Sequence, residues 1–329
     1  MDAAKVRALL PERERDHFDD IILQRVLGAS KHISMIGAML KAVAAEHRDR
    51  GGDTALMLED LRAVADYFKA TRGQASSAVG NAIDFMTRGN HTLRALPADE
   101  AARAVEAAVD AYDADARGNV EKLIGYALPL FKGMKRILVF DYSSTVNRFL
   151  ARLGEAAPGL EVFIPESRII NGGYAFVPTS LTAGLKVHFI PDAAMLYYLR
   201  ECDAACFGAE TFNPDGTAYN TTGSDIVGLG CKAYGVPLYV LTPLIKLDLR
   251  PLRGYVRQLV NNNTRERMRS VGFTVGELEQ VDFDCPELLP VGAEYIKAFV
   301  TERGILPAAG MYSESLRYAE FLTGGKEVC

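Results

Sequence analysis

In the first 133 residues the apolar positions recur at helical spacing. Phe18, Ile21, Ile22, Val26 and Leu27 form one such stripe, and Ile33, Ile36, Leu40 and Val43 form another. Arg50-Gly51-Gly52-Asp53 breaks the pattern, and Asp53 or Thr54 then stands ready to cap a helix over residues 55–71. Residues 72–77 interrupt again. Further helices are predicted over residues 78–87, from 100 to about 113, and over 119–131. Past Lys135 the period changes. Short apolar runs at 137–140, 160–165, 185–190, 202–207 and 237–242 read as strands, with helical segments at 145–153 and 193–201 between them. Residues 211–219 read as a polar stretch rich in turn residues, and Asn220-Thr221-Thr222-Gly223-Ser224 reads as the opening of a helix. Residues 250–270 read as a polar excursion or interface arm, 282–286 as a turn, and 291–303 as a helix. Strands alternating with short helices predict a doubly wound, mostly parallel sheet. Strands that are apolar throughout fit a sheet covered on both faces. The expectation is therefore α/β, with an all-helical domain over residues 1–133 and a sheet domain over 134–329 that carries most of the cleft.

Composition narrows the function. The chain has 329 residues, 49% apolar and 24% charged, with a net charge of -5. No block of Lys and Arg stands out, which argues against nucleic acid as a ligand. No apolar run approaches the roughly 18 residues of a membrane span. The N-terminal stretch is charged and lacks the apolar centre of a secretion signal. Cys202, Cys206, Cys231, Cys285 and Cys329 are odd in number and lie mostly in apolar surroundings, which fits reduced thiols of a cytoplasmic protein. Cys202 and Cys206 lack a second pair to complete a zinc set, so no metal and no cofactor are expected.

Three predicted strands end in polar side chains. These are Asp141 with Tyr142, Ser143 and Ser144; Glu166 with Ser167 and Arg168; and Glu210, near Asn220. Each alone fits a solvated loop or a cap, whereas three at successive carboxyl ends outline one cleft. Two carboxylates in such a cleft, Asp141 and Glu210, are able to divide acid and base roles. Gly223 and Ser224, at a helix start, fit an anion site. Arg72, Gly73 and Gln74, between two helices, offer a guanidinium beside free backbone N–H groups, or a simple helix break. Gly228-Leu229-Gly230-Cys231-Lys232-Ala233 has the G-x-G-x-x-A form, but it falls inside a helix, where small residues serve close packing. None of the five histidines has ligand spacing, and no Gly-x-Ser-x-Gly elbow occurs.

The runs Gly208-Ala209-Glu210, Asn213-Pro214-Asp215-Gly216, Asn220-Thr221-Thr222-Gly223-Ser224 and Ala233 to Val240 resemble the core signature of one family. It comprises the alpha, beta and delta subunits of translation initiation factor 2B, methylthioribose-1-phosphate isomerase and ribose-1,5-bisphosphate isomerase. Residues 137–143, Glu166-Ser167-Arg168, Asp192-Ala193-Ala194, 283–307 and Thr71-Arg72-Gly73-Gln74 with 78–82 also match. The resemblance implies a helical N-terminal domain, a Rossmann-like second domain, and a homodimer or higher homo-oligomer. It implies conversion of an aldose 1-phosphate to a ketose 1-phosphate, with Asp141 where the isomerases carry cysteine and Glu210 where they carry aspartate. Thr221 stands where they carry lysine, and Glu210 with Tyr142-Ser143 is closer to the initiation-factor subunits. The alternative is thus a non-catalytic subunit that binds a sugar phosphate or nucleotide, resembling the alpha subunit of initiation factor 2B. Expected substrate or phosphate contacts are Arg72, Gly73, Gln74, Tyr142, Ser143, Arg168, Asn220, Thr221, Gly223 and Ser224.

Overall fold

A computed structural model describes residues 2–23, 25–26, 28–258, 261–263, 265 and 272–323. The chain divides into two compact units. The first comprises residues 1–119, 244–249 and 313–329; the second comprises 120–243 and 250–312.

The first unit is helical. It holds α1 (Ala3–Leu9), α2 (Glu12–Ile22), α3 (Ala29–Asp49), α4 (Thr54–Ala70), α5 (Arg72–Ala75), α6 (Ser77–Thr87) and the first two-thirds of α7 (Ala98–Phe131). Asp53 caps α4, accepting a hydrogen bond from Ala55 N at 2.8 Å. The apolar stripes of α3, α4 and α6 bury Ile36, Leu40, Leu61, Val64, Phe68 and Ile83. Each such side chain contributes about 1.5–3 kcal/mol relative to exposure. Asn81 of α6 donates to the carbonyls of Ile245 and Leu247 at 2.9 and 2.7 Å, which ties residues 244–249 to this unit.

The expected separate helices at 100–113 and 119–131 are one helix of 34 residues. Gly118 falls in the interval expected between them. It lies inside the helix, where a lone glycine weakens but does not stop propagation.

The second unit is built on a seven-stranded sheet: β1 (Arg136–Phe140), β2 (Glu161–Pro165), β3 (Lys186–Ile190), β4 (Ala204–Phe207), β7 (Leu238–Leu241), β11 (Ala298–Thr301) and β12 (Gly304–Leu306). The order is β12-β11-β7-β4-β1-β2-β3, parallel except for the β11–β12 pair. Val120–Phe131 of α7 and α8 (Ser144–Ala156) pack on it, and Leu123, Phe131, Val139, Phe149, Leu150, Val162 and Cys206 share one buried cluster. The crossover helices α9 (Phe176–Thr182), α10 (Met195–Leu199) and α11 (Ser224–Tyr234) complete the unit.

Two expectations fail here. Residues 291–303 are not helical. Val291 ends β10 (Leu288–Val291), and Ala298–Thr301 is a buried parallel strand, β11. The run Ala298-Phe299-Val300 is apolar on successive positions, as a strand covered on both faces requires.

The turn-rich stretch after Glu210 is also a hairpin: β5 (Thr211–Phe212) and β6 (Ala218–Thr221) pair antiparallel, and β6 pairs with β10. Asn220 and Thr221 thus end a strand, and α11 begins only at Ser224. The hairpin loop is set by Asn213-Pro214-Asp215-Gly216, with Gly216 at φ 82° and its N–H donating to the Asn213 carbonyl at 3.0 Å. A Cβ there would come within 2.6 Å of the Ala308 carbonyl.

The turn expected at 282–286 includes a short strand, β9 (Asp284–Pro286), paired with β8 (Asn261–Asn263). Of the excursion at 250–270, residues 259, 260, 264 and 266–270 lie outside the described residues. Gly228 and Gly230 do serve packing: a Cβ on Gly230 would stand 2.5 Å from Leu196 Cδ2, and one on Gly228 would stand 2.9 Å from Val291 Cγ1.

Candidate functional site

In the second unit the chain runs outward from β1 through β2 to β3, then returns to β4 on the other side of β1. In open α/β sheets the crevice beside such a reversal, at the carboxyl ends of the strands, is where ligands bind. Asp141 directly follows β1, and Gly208-Ala209-Glu210 follows β4. Phe140 and Phe207 are register partners, so both segments leave the sheet side by side.

Asp141 is the most constrained of these residues. It is 3% exposed and has a left-handed backbone, φ 56°. Aspartate tolerates that region better than most residues, and such conformations cluster at functional sites. Ser167 Oγ donates to Asp141 Oδ1 at 2.7 Å, and Thr221 Oγ1 donates to Oδ2 at 2.7 Å. Burial pushes the carboxyl above its ordinary pKa, and nearby Asp192 adds to the rise; the two hydroxyls and the Tyr142 peptide N–H pull it back.

The loop after β2 closes over this carboxyl. Ser167 is also left-handed, φ 49°, as is Asn171, φ 56°. Asp192, after β3, holds the loop by accepting from Ser167 N at 2.8 Å and Arg168 N at 2.7 Å. Gly172 packs so tightly that a Cβ would overlap Asp141 Oδ1 and lie 2.9 Å from Tyr142 N. From the other side, Ser224 Oγ, fully buried, donates to the Thr221 carbonyl at 2.5 Å. Gly223, at φ 108°, seats the start of α11 on Phe140, whose Cζ would be 2.7 Å from a Cβ.

The remaining candidates are less enclosed. Glu210 is half-buried, and its peptide N–H donates to the Tyr219 carbonyl at 2.9 Å. Tyr219 and Thr221 are two apart on β6, so one strand anchors Glu210 through a backbone carbonyl and Asp141 through a side-chain hydroxyl. Tyr142 is 45% exposed, with its ring 5.7 Å from that of Phe176. Ser143 caps α8, and its Oγ accepts from Val146 N at 3.4 Å. A Cβ on Gly208 would overlap the Ser143 side chain. Arg168 is exposed, with its guanidinium 3.8 Å from Glu166. Asn220 is buried in β6.

Asp141, Tyr142, Ser143, Thr221, Gly223 and Ser224 thus gather around the ends of β1 and β6. Arg72, Gly73 and Gln74 belong to the helical unit and form α5. There Gly73 is buried, and a Cβ on it would stand 3.4 Å from Gly80 Cα; Arg72 Nε is buried with no hydrogen-bond partner among the described residues.

Ser167 belongs to the polar strand end that the sequence points to and Asp192 to a family match, but neither is among the expected contacts, and no sequence signal points to Gly172. The cysteines do not replace a catalytic thiol: Cys206 lies within β4 beside Val139, and burial pushes the thiols of Cys202 and Cys231 up to about 12. Among the described residues no three His, Cys, Asp or Glu side chains group as a metal site, and no helix is long and apolar enough to cross a membrane.

Comparison with known proteins agrees with this architecture. Residues 28–308 match the Initiation factor 2 subunit family. Methylthioribose-1-phosphate isomerase of Heliobacterium modesticaldum is 28% identical over 165 residues, covering 49% of this chain and 47% of that protein. Ribose 1,5-bisphosphate isomerase of Archaeoglobus fulgidus is 26% identical over 185 residues, covering 53% and 58%. The chain thus spans about half the length of these curated relatives. The crystal structure of translation initiation factor eIF-2B from Pyrococcus horikoshii OT3 superposes with a TM-score of 0.70 at 19% identity, covering 91% of this chain and 98% of that one; it bears on the fold alone.

Proposed function

Since the chain belongs to the Initiation factor 2 subunit family, we propose that it is an aldose–ketose isomerase acting on a sugar 1-phosphate, with Asp141 and Glu210 as its acid and base. The observation that carries the reading is Asp141 itself: a left-handed, buried carboxyl at a strand end beside the sheet's reversal point, with its proton affinity raised. Relatives named for this chemistry support the substrate class.

The balanced reaction needs two groups. Protonated Asp141 gives its proton to the ring oxygen as the C1–O bond breaks, and Glu210 takes the proton from C2, leaving an enediol across C1 and C2. Glu210 then returns its proton to C1 while Asp141 takes the proton from the C2 hydroxyl, which becomes the ketone. Both groups end as they began. General acid–base help of this kind is typically worth about 10²–10⁴-fold. Within the second unit, Arg168 and the backbone at Gly223-Ser224 hold the phosphate, with Tyr142, Ser143 and Asn220 lining the substrate. A homodimer or larger homo-oligomer in the cytoplasm completes the reading and rests on the family resemblance.

The test is incubation with methylthioribose 1-phosphate and ribose 1,5-bisphosphate, with ketose formation followed by ¹³C NMR. Turnover is expected with one of them, and both Asp141→Asn and Glu210→Gln should lower it by at least about 10²-fold. Binding of either compound without any ketose would move the protein to the second reading, a ligand-binding regulatory subunit. That reading is favoured by one observation, that both Asp141 oxygens already accept hydroxyl hydrogen bonds.

A further inference from the structure

We propose that Ser167 and Thr221 are positioning residues for Asp141, and that, with the Tyr142 peptide N–H, they leave the carboxyl one open lone pair from which it exchanges protons with a substrate. The inference rests on the acid/base reading above and deepens it. An ionised carboxylate offers about four lone-pair positions. Ser167 Oγ occupies one on Oδ1 and Thr221 Oγ1 one on Oδ2, and the Tyr142 peptide N–H takes a third. Gly172 crowds Oδ1 so closely that not even a methyl group fits beside it.

Neither hydroxyl is free to drift. Ser167 is fully buried, held in the left-handed region, and pinned through its own N–H to Asp192 Oδ1. Thr221 is fixed by its place in β6, between β5 and β10, and by Ser224 on its carbonyl. The charged or titratable groups around this carboxyl are Asp192 after β3, Glu166 and Arg168 on the loop after β2, and Tyr142 on its own segment. Among the described residues it accepts hydrogen bonds from two hydroxyls and a peptide N–H, so the two hydroxyls set both its orientation and the pH at which it gives up its proton.

Selective ¹³C labelling of aspartate carboxyls tests this in the full chain, with the Asp141 resonance assigned by its loss in Asp141→Asn. The Asp141 titration should move to higher pH in Ser167→Ala and in Thr221→Val. It should move equally in Ser167→Gly, which lacks the hydroxyl but relieves the left-handed backbone, and stay in place in Thr221→Ser, which keeps the hydroxyl. With a turned-over sugar phosphate, kcat in Ser167→Ala and Thr221→Val should fall on the order of 10²-fold with little change in KM, and the pH limb of kcat should follow the NMR midpoint. Titration midpoints and pH limbs that match wild type in Ser167→Ala, Ser167→Gly and Thr221→Val would overturn the proposal. Failure of the isomerase reading looks different: wild type yields no ketose, while the NMR midpoints still move.

Discussion

Asp141 combines two penalties that a purely structural residue would shed, a left-handed backbone and a buried carboxyl, and two hydroxyls and a peptide N–H hold it in place. Its folded pKa is raised, so between the unfolded and folded values the native state binds more protons than the unfolded chain. The stability it contributes is present at low pH and is lost as pH rises through the folded value. Asp141→Asn removes this dependence. The variant should therefore unfold at a higher temperature than wild type at pH 7.5, and the gap should close as the pH is lowered toward 4. Differential scanning calorimetry at several pH values checks this, and a gap that widens at low pH would contradict the assigned sign.

At the scale of elements, two positions show how local sequence and packing divide the work. Asn81 of α6 satisfies two carbonyls of residues 244–249 with one amide. Asn81→Ala leaves those carbonyls without their donor and should lower stability by about 1–3 kcal/mol, read as a drop in urea midpoint with the slope unchanged. Gly118 lies within α7, and nothing stands within 4 Å of where its Cβ would be. Gly118→Ala should stabilise by about 0.5–1 kcal/mol, because alanine loses less chain entropy in a helix. α7 runs unbroken through the interval 114–118 that the sequence left outside a helix, since local sequence carries no information about the packing that supports it. Residues 291–303 were misread for a related reason: a short apolar run has no periodicity that separates a buried strand from a buried helix.

For the molecule as a whole, the proposed function depends on a small anionic ligand meeting the ends of β1, β4 and β6. A sugar 1-phosphate that binds the native state at 100-fold over its Kd should add ~2.7 kcal/mol of stability, visible as a rise in Tm that depends on ligand concentration. Inorganic phosphate alone should raise Tm less, because it lacks the sugar carbons that Asp141 and Glu210 address. An equal rise with both would assign the site to phosphate recognition only.

The parallel sheet, the helical first part, and the carboxylates at strand ends were legible from hydrophobic period and turn residues, because those signals are local and each strand buries both faces, whereas the order of the strands was not. The family signature added the positions of Asp141, Glu210 and Thr221. What only the tertiary structure decided is how those residues are used. The hairpin from Thr211 to Thr221 reads in sequence as a turn-rich stretch and a helix start, because Asn220 and Thr221 are polar although they are buried at its end. The hydroxyl pairing of Ser167 and Thr221 with Asp141 joins residues 26 and 80 positions apart from it. Left-handed backbone at Asp141 and Ser167 leaves no trace in composition. Contacts of that kind depend on how three strand ends and a glycine loop converge, and no local pattern along the chain encodes that convergence.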